Sequence, residues 1–227
     1  MDPHKMIKSA LLSFGISLLI ATSLMAHGTI QGTTGLIEMP TAESLAFKQV
    51  GVGVDFKMGG KGTNQTDIMY YKFNFGSIEN LEMGFTGGSF LTEGVFVNAK
   101  YFIMSDNQPY PLSLALGVEN IGSLNDTNAY FVASKKFQGG FTGHFGFKAN
   151  FKETLDAAAM IGAEYMVDNR FSLLGELTGE TEFYIFNVGL RYYFDPDFVL
   201  KTSILDLTKN KSEDTLYTVG ISILRFM

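Results

Sequence analysis

The chain contains no cysteine and no tryptophan, and only 5 prolines in 227 residues. Without cysteine there is no disulfide framework, no thiolate metal site and no thiol to carry a lipid anchor. Charge is also sparse. Asp, Glu, Lys and Arg make up 18% of the residues, against about 25% in ordinary soluble domains. A net charge of −6 leaves no basic footprint for nucleic acid. Beyond residue 26 the only histidines are His27 and His144, so no His pair offers a metal site and no cofactor is expected. Long hydrophobic runs are equally scarce. The one clear run, Ala10–Leu24, follows Lys5 and Lys8. It is too short for a comfortable transmembrane helix of about 20 residues. With the small residues after it, residues 1–26 read as a secretory signal peptide cut after Ala26, with Ala21-Thr22-Ser23 as the second choice of site.

What the chain has is alternation. In Gln49–Met58, Val50, Val52, Val54, Phe56 and Met58 fall on one face and Gly51, Gly53, Asp55 and Lys57 on the other. A period of two is the β-strand period, because successive Cβ atoms point to opposite sides of a sheet. The pattern returns about every fifteen residues, predicting strands over 65–75, 80–90, 93–103, 111–121, 127–137, 141–151, 156–166, 170–178, 182–194, 197–207 and 215–226. Turn signals such as Gly139-Gly140, Asp168-Asn169 and Asp195-Pro196 separate them. The count is twelve, or ten if the mixed patterns of 127–137 and 197–207 are not strands. The implied fold is all-β: a transmembrane antiparallel up-and-down barrel over residues 49–227, since only a closed sheet satisfies its backbone in lipid.

The faces can be told apart. A soluble barrel would carry dense Lys and Glu on its polar side. Here that side is mostly Gly, Ser, Thr and Asn, while Tyr and Phe gather near strand ends of the apolar side, as interfacial girdles require. The polar side therefore faces a lumen. Its charges are Lys57, Lys72, Lys100, Lys148, Arg191 and Lys201 against Asp55, Glu82, Glu119, Asp156, Glu164 and Glu176. Balanced charges in a confined interior are expected to pair, because an unpaired one is costly. They then either fill the lumen as a network or line a passage. No catalytic residue is expected. A membrane hydrolase would have to be built on His144, with Glu164 or Asp156 as its carboxylate.

Residues 27–48 precede the first strand, and Gly32, Gly35 and Pro40 break regular structure there. Ile30, Leu36, Ile37 and Met39 are apolar and need cover, so this lead segment is expected at the lumen or the periplasmic mouth. Its stretch GTTGLIEMPTAE, with Thr34, Gly35, Leu36, Ile37, Pro40, Thr41 and Ala42, resembles the start of YjbH-like outer-membrane barrel proteins. That resemblance covers roughly 30 residues and implies an association with exopolysaccharide secretion. The combined expectation is a narrow outer-membrane passage linked to polysaccharide export, in a diderm bacterium. The alternative is a plugged structural barrel for membrane integrity or partner assembly. The implied partners are outer-membrane lipid, the barrel-assembly machinery and polysaccharide or export components.

Overall fold

The computed structural model describes residues 27–59, 67–88, 94–106, 110–123, 126–151, 155–179, 183–210 and 215–227. The signal peptide expected over residues 1–26 lies outside them. Twelve strands follow one another: β1 (Gln49–Gly59), β2 (Ile68–Ile78), β3 (Leu81–Gly88), β4 (Phe96–Met104), β5 (Ser113–Ile121), β6 (Asn128–Lys136), β7 (Phe141–Phe151), β8 (Leu155–Met166), β9 (Phe171–Gly179), β10 (Tyr184–Asp195), β11 (Phe198–Leu205) and β12 (Leu216–Phe226). Each pairs antiparallel with its neighbour in sequence, and β1 pairs with β12 from Gln49 opposite Phe226 to Gly59 opposite Leu216. The sheet closes without a free edge. The fold is a twelve-stranded transmembrane barrel, and both uncertain segments are strands within it.

Those two segments looked mixed for a physical reason. On β6, Asn128, Tyr130, Val132 and Ser134 are buried, and on β11, Val199, Lys201, Ser203 and Leu205 are buried. Their inward faces carry apolar side chains because the lumen has an apolar core of its own, to which Tyr130, Val132 and Leu205 belong.

Elsewhere the alternation is simple. Outward residues such as Val52, Phe56, Phe73, Leu116, Phe145, Ile161, Leu173, Tyr217 and Ile221 are exposed. Such a continuous apolar surface is tolerated only in lipid. At the end of the barrel that carries β1's start and β12's finish, aromatic rings form a chain. Phe171, Tyr192, Phe194 and Phe198 follow one another with centroids 4.8, 4.8 and 5.0 Å apart. This is one arc of an interfacial girdle, over β9 to β11, built from Phe and Tyr in a chain without Trp.

Closure of this kind resists detergent, because no edge is left from which to unzip the strands. Unheated protein in SDS should therefore migrate apart from the boiled form. Identical migration would contradict β1–β12 pairing.

Candidate functional site

The lumen is occupied. Residues 27–45 run inside the barrel, while Phe47 and Lys48 are exposed at its base, and Ile30, Leu36, Ile37, Met39 and Ala42 form the inner core together with Ala115, Tyr130, Val132, Met160, Leu174 and Leu205. The segment folds on itself as a small hairpin. Leu36 N–H donates to Met39 O at 2.9 Å and Thr41 N–H to Thr34 O at 3.2 Å, and Ile30 N–H donates to Ile37 O at 2.8 Å. The Gly35 and Pro40 backbones pair as a bridge. A Cβ on Gly35 would stand 2.8 Å from Pro40 Cα and closer still to Met39 O. The Thr34–Ala42 motif is thus a tight hairpin that needs glycine at that place.

The lumen charges hold this hairpin by its backbone. The Glu176 carboxylate accepts from the N–H groups of Ile37, Glu38 and Met39 at 3.0, 2.8 and 3.0 Å. Glu82 accepts from Thr34 N–H at 2.9 Å, Thr34 Oγ1 at 2.8 Å and Leu45 N–H at 3.0 Å. Arg191 donates to Gly35 O and, at 2.9 Å, to Leu36 O. Lys100 donates to Thr34 O at 2.5 Å, to Thr34 Oγ1 and to Glu43 O at 2.8 Å. Lys72 and Lys201 reach Gly28 O at 3.3 and 3.0 Å, and Lys72 also bonds Thr29 O. Thr33 Oγ1 donates to Glu119 at 2.5 Å. A segment with no ladder of its own must find partners for its buried N–H and C=O groups, and charged side chains supply the stronger bonds.

Pairing among the charges themselves is narrower than the balanced count suggests. Among the described residues Asp55 pairs with Lys72 and, at 3.1 Å, with Lys201; Glu119 lies 3.5 Å from Lys148, and Glu164 lies 3.4 Å from Arg191. Glu82, Lys100 and Glu176 are spent chiefly on the lead segment. The remaining two, Lys57 and Asp156, sit at the far end of the lumen. Amides that charge counting passes over share the work. Asn74 and Asn98 donate to the carbonyls of Gly32 and Gln31, the latter at 3.0 Å, and Ser134 Oγ accepts from Ala42 N–H at 3.0 Å. Their inward parity is the only sequence signal that could have pointed to them.

His144 does meet a serine: its Nδ1 lies 2.8 Å from Ser134 Oγ. Glu164 is engaged by Arg191 at 3.4 Å and Tyr193 at 3.5 Å, and Asp156 pairs in register with Asn150, six residues along the strand from His144. Among the described residues the structure does not bring a Ser-His-carboxylate set together around His144.

Beyond the hairpin the lumen widens into a cup of about 520 Å³ at the end opposite the start of β1 and the finish of β12. Ile30, Gln31 and Glu38 of the lead segment form its floor; Lys57, Tyr70, Asn120, Asp126, Lys148, Asn150 and Asp156 are in its wall. The barrel is therefore filled on one side and hollow on the other.

No protein-family model matches the chain, and no curated protein matches it by sequence. Solved structures do resemble it. The KdgM porin superposes with a TM-score of 0.61 at 16% identity, over 78% of this chain and 99% of that one. The fold is porin-like. The NanC porin follows with 0.56 at 13% identity over 77% and 98% of the two chains, and the Ralstonia pickettii toluene transporter TbuX with 0.54 at 11% over 90% and 99%. At these identities the likeness concerns the barrel and not its cargo.

Proposed function

We propose that the protein is an outer-membrane barrel with a gated passage, that residues 27–48 are the gate, and that the passage serves polysaccharide export. One observation carries the gating. Among the described residues the lead segment is held by side chains and meets the barrel's backbone only at its base, through the bridge from Phe47 to Gly76, the bond from Lys48 N–H to Gly76 O at 3.1 Å and the bond from Met227 N–H to Lys48 O at 2.9 Å. It can leave the lumen without opening a single strand pair. The resemblance of Thr34–Ala42 to the YjbH-like motif supports the polysaccharide role, and a KdgM porin structure described as a complex with disordered oligogalacturonate offers a parallel at the level of fold. A signal peptide cut after Ala26 and delivery by the barrel-assembly machinery belong to the same reading. The rival is a permanently plugged structural barrel, favoured by the number of bonds on the segment. Planar bilayers separate the two. The whole chain should show rare openings, and a chain lacking residues 28–47 should conduct steadily. Silence from both would leave the structural barrel.

The gate should also respond to pH. His27 is fully buried, with Nδ1 3.2 Å from Ser222 Oγ and its ring against Tyr193. Burial, and then the charges of Arg191, Lys201 and Lys72, hold its imidazole well below the ordinary 6.5. Docked His27 is neutral, whereas in water the ring takes a proton below about 6.5. Docking is therefore at full strength above that pH and weakens as the pH falls beneath it. Openings should be more frequent at about pH 5 than at about pH 7.5, and His27→Gln should flatten the difference. An unchanged pH response in that variant would assign it to another group.

A further inference from the structure

We propose that the cup above the hairpin is a binding site for an uncharged, hydroxyl-rich ligand, a neutral saccharide end, and that it disfavours polyanions. This rests on reading the lumen as a passage and names what the passage receives first. Its size lies within the range of about 300–1,000 Å³ that small-ligand pockets occupy. Its wall is a ladder of amides around one carboxylate. Asp126 accepts from Asn120 at 3.0 Å, from Asn128 at 3.2 Å and from Asn150 at 3.3 Å, and Asn150 also donates to Asn128 Oδ1 at 2.9 Å. After these bonds Asn150 Oδ1 is buried and has no partner. An acceptor left over from an otherwise satisfied network, on a side chain that lines the cup, becomes a place for a ligand's hydroxyl donor once the amide turns towards the cavity. Tyr70, Phe96 and Phe183 add flat apolar surface in the same cavity. Polar groups that fix orientation beside rings that cover carbon suit a sugar better than a hydrocarbon.

Charge selects among sugars. The described lining holds three carboxylates, Glu38, Asp126 and Asp156, and two cations, Lys57 and Lys148. Lys148 is already 3.5 Å from Glu119, which lies beneath the cup. A uronate or sialate would bring negative charge towards a surplus of the same sign, which is how a site rejects a competitor of similar shape. The floor ties the ligand to the gate. Gln31 accepts from Asn120 through its side chain, at 3.0 Å, and Glu38 from Asn187, at 3.3 Å. Both belong to the lead segment, so a ligand seated on them competes with bonds that keep the segment docked.

Isothermal titration of the whole refolded chain in detergent tests this with maltotetraose, cellotetraose, tetra-N-acetylchitotetraose, tetragalacturonate and toluene as probes. At least one neutral tetrasaccharide should bind saturably, and tetragalacturonate at least about tenfold more weakly. Asn150→Ala and, separately, Tyr70→Ala should each weaken the neutral sugar about tenfold. Unshifted migration of unheated variants in SDS shows that they have folded. Glu38→Gln with Asp156→Asn should bring tetragalacturonate closer to the neutral sugar. Tighter binding of tetragalacturonate or toluene than of every neutral probe overturns the proposal, and so does no binding by any neutral probe. Conductance of the chain lacking residues 28–47 is read independently, so an empty cup and a failed passage are different results.

Discussion

Glu176→Ala should release the lead segment from the barrel. This one carboxylate accepts three successive backbone N–H groups, those of Ile37, Glu38 and Met39, and the side-chain amide of Asn187 at 2.8 Å. A buried donor left without its acceptor costs about 1–3 kcal/mol. Three of them exceed what a short hairpin is expected to bear in place, while water in an emptied lumen would satisfy all three. A shift of about 3 kcal/mol towards the undocked state is a rise of about a hundredfold in its population. Two measurements check it. Steady conductance should replace rare openings. A cysteine introduced at Met39, the only thiol in a chain that has none of its own, should become accessible to a water-soluble maleimide. Glu176→Gln keeps one carbonyl acceptor and should fall between the two. If Glu176→Ala stays closed and unlabelled, the carboxylate is not the clasp.

The second large effect lies on the opposite side of the wall. Val54, Phe145 and Val188 point outward near the middles of β1, β7 and β10, and Phe145 is 48% exposed. Arginine on the lipid face at the midplane costs about 2–4 kcal/mol. Val54→Arg, Phe145→Arg and Val188→Arg should each reduce the yield of folded, heat-modifiable barrel and lower its urea midpoint in vesicles. Thr178→Arg, whose side chain would enter the cup, should assemble nearly as the parent does. Equal damage from both kinds of variant would mean that the faces are reversed.

The barrel was legible because its rule is local. A strand with one face in lipid advertises itself by parity, and ten of the twelve segments do so without reference to anything distant. The strands β6 and β11 blurred because Tyr130, Val132, Val199 and Leu205 face inward and are buried there. Parity assumes one apolar face, and a filled lumen makes two. The inward charges were likewise visible by parity, but their partners were not. Glu176 and the hairpin it holds are separated by 137 to 139 positions, and no spacing rule spans that distance. The same holds for the cup, where Asn120, Asp126, Asn128 and Asn150 look like ordinary turn and strand-end residues until the barrel curves them onto one wall.

The distances along the chain also set a timetable. His27 meets Ser222 across 195 positions, Gly28 meets Lys201 across 173 and Gly35 meets Arg191 across 156. None of these contacts can form before the last third of the polypeptide is in place, and closing so long a loop early is entropically unrewarded. The lead segment therefore cannot finish docking until β10 to β12 exist, although Lys72, Glu82 and Lys100 can engage Thr29 and Thr34 sooner. Until it does, Leu36, Ile37 and Met39 travel uncovered, and an apolar stretch in that condition is a handle for whatever escorts the unfolded chain. The second half of the barrel must be present before the lead segment is fully seated.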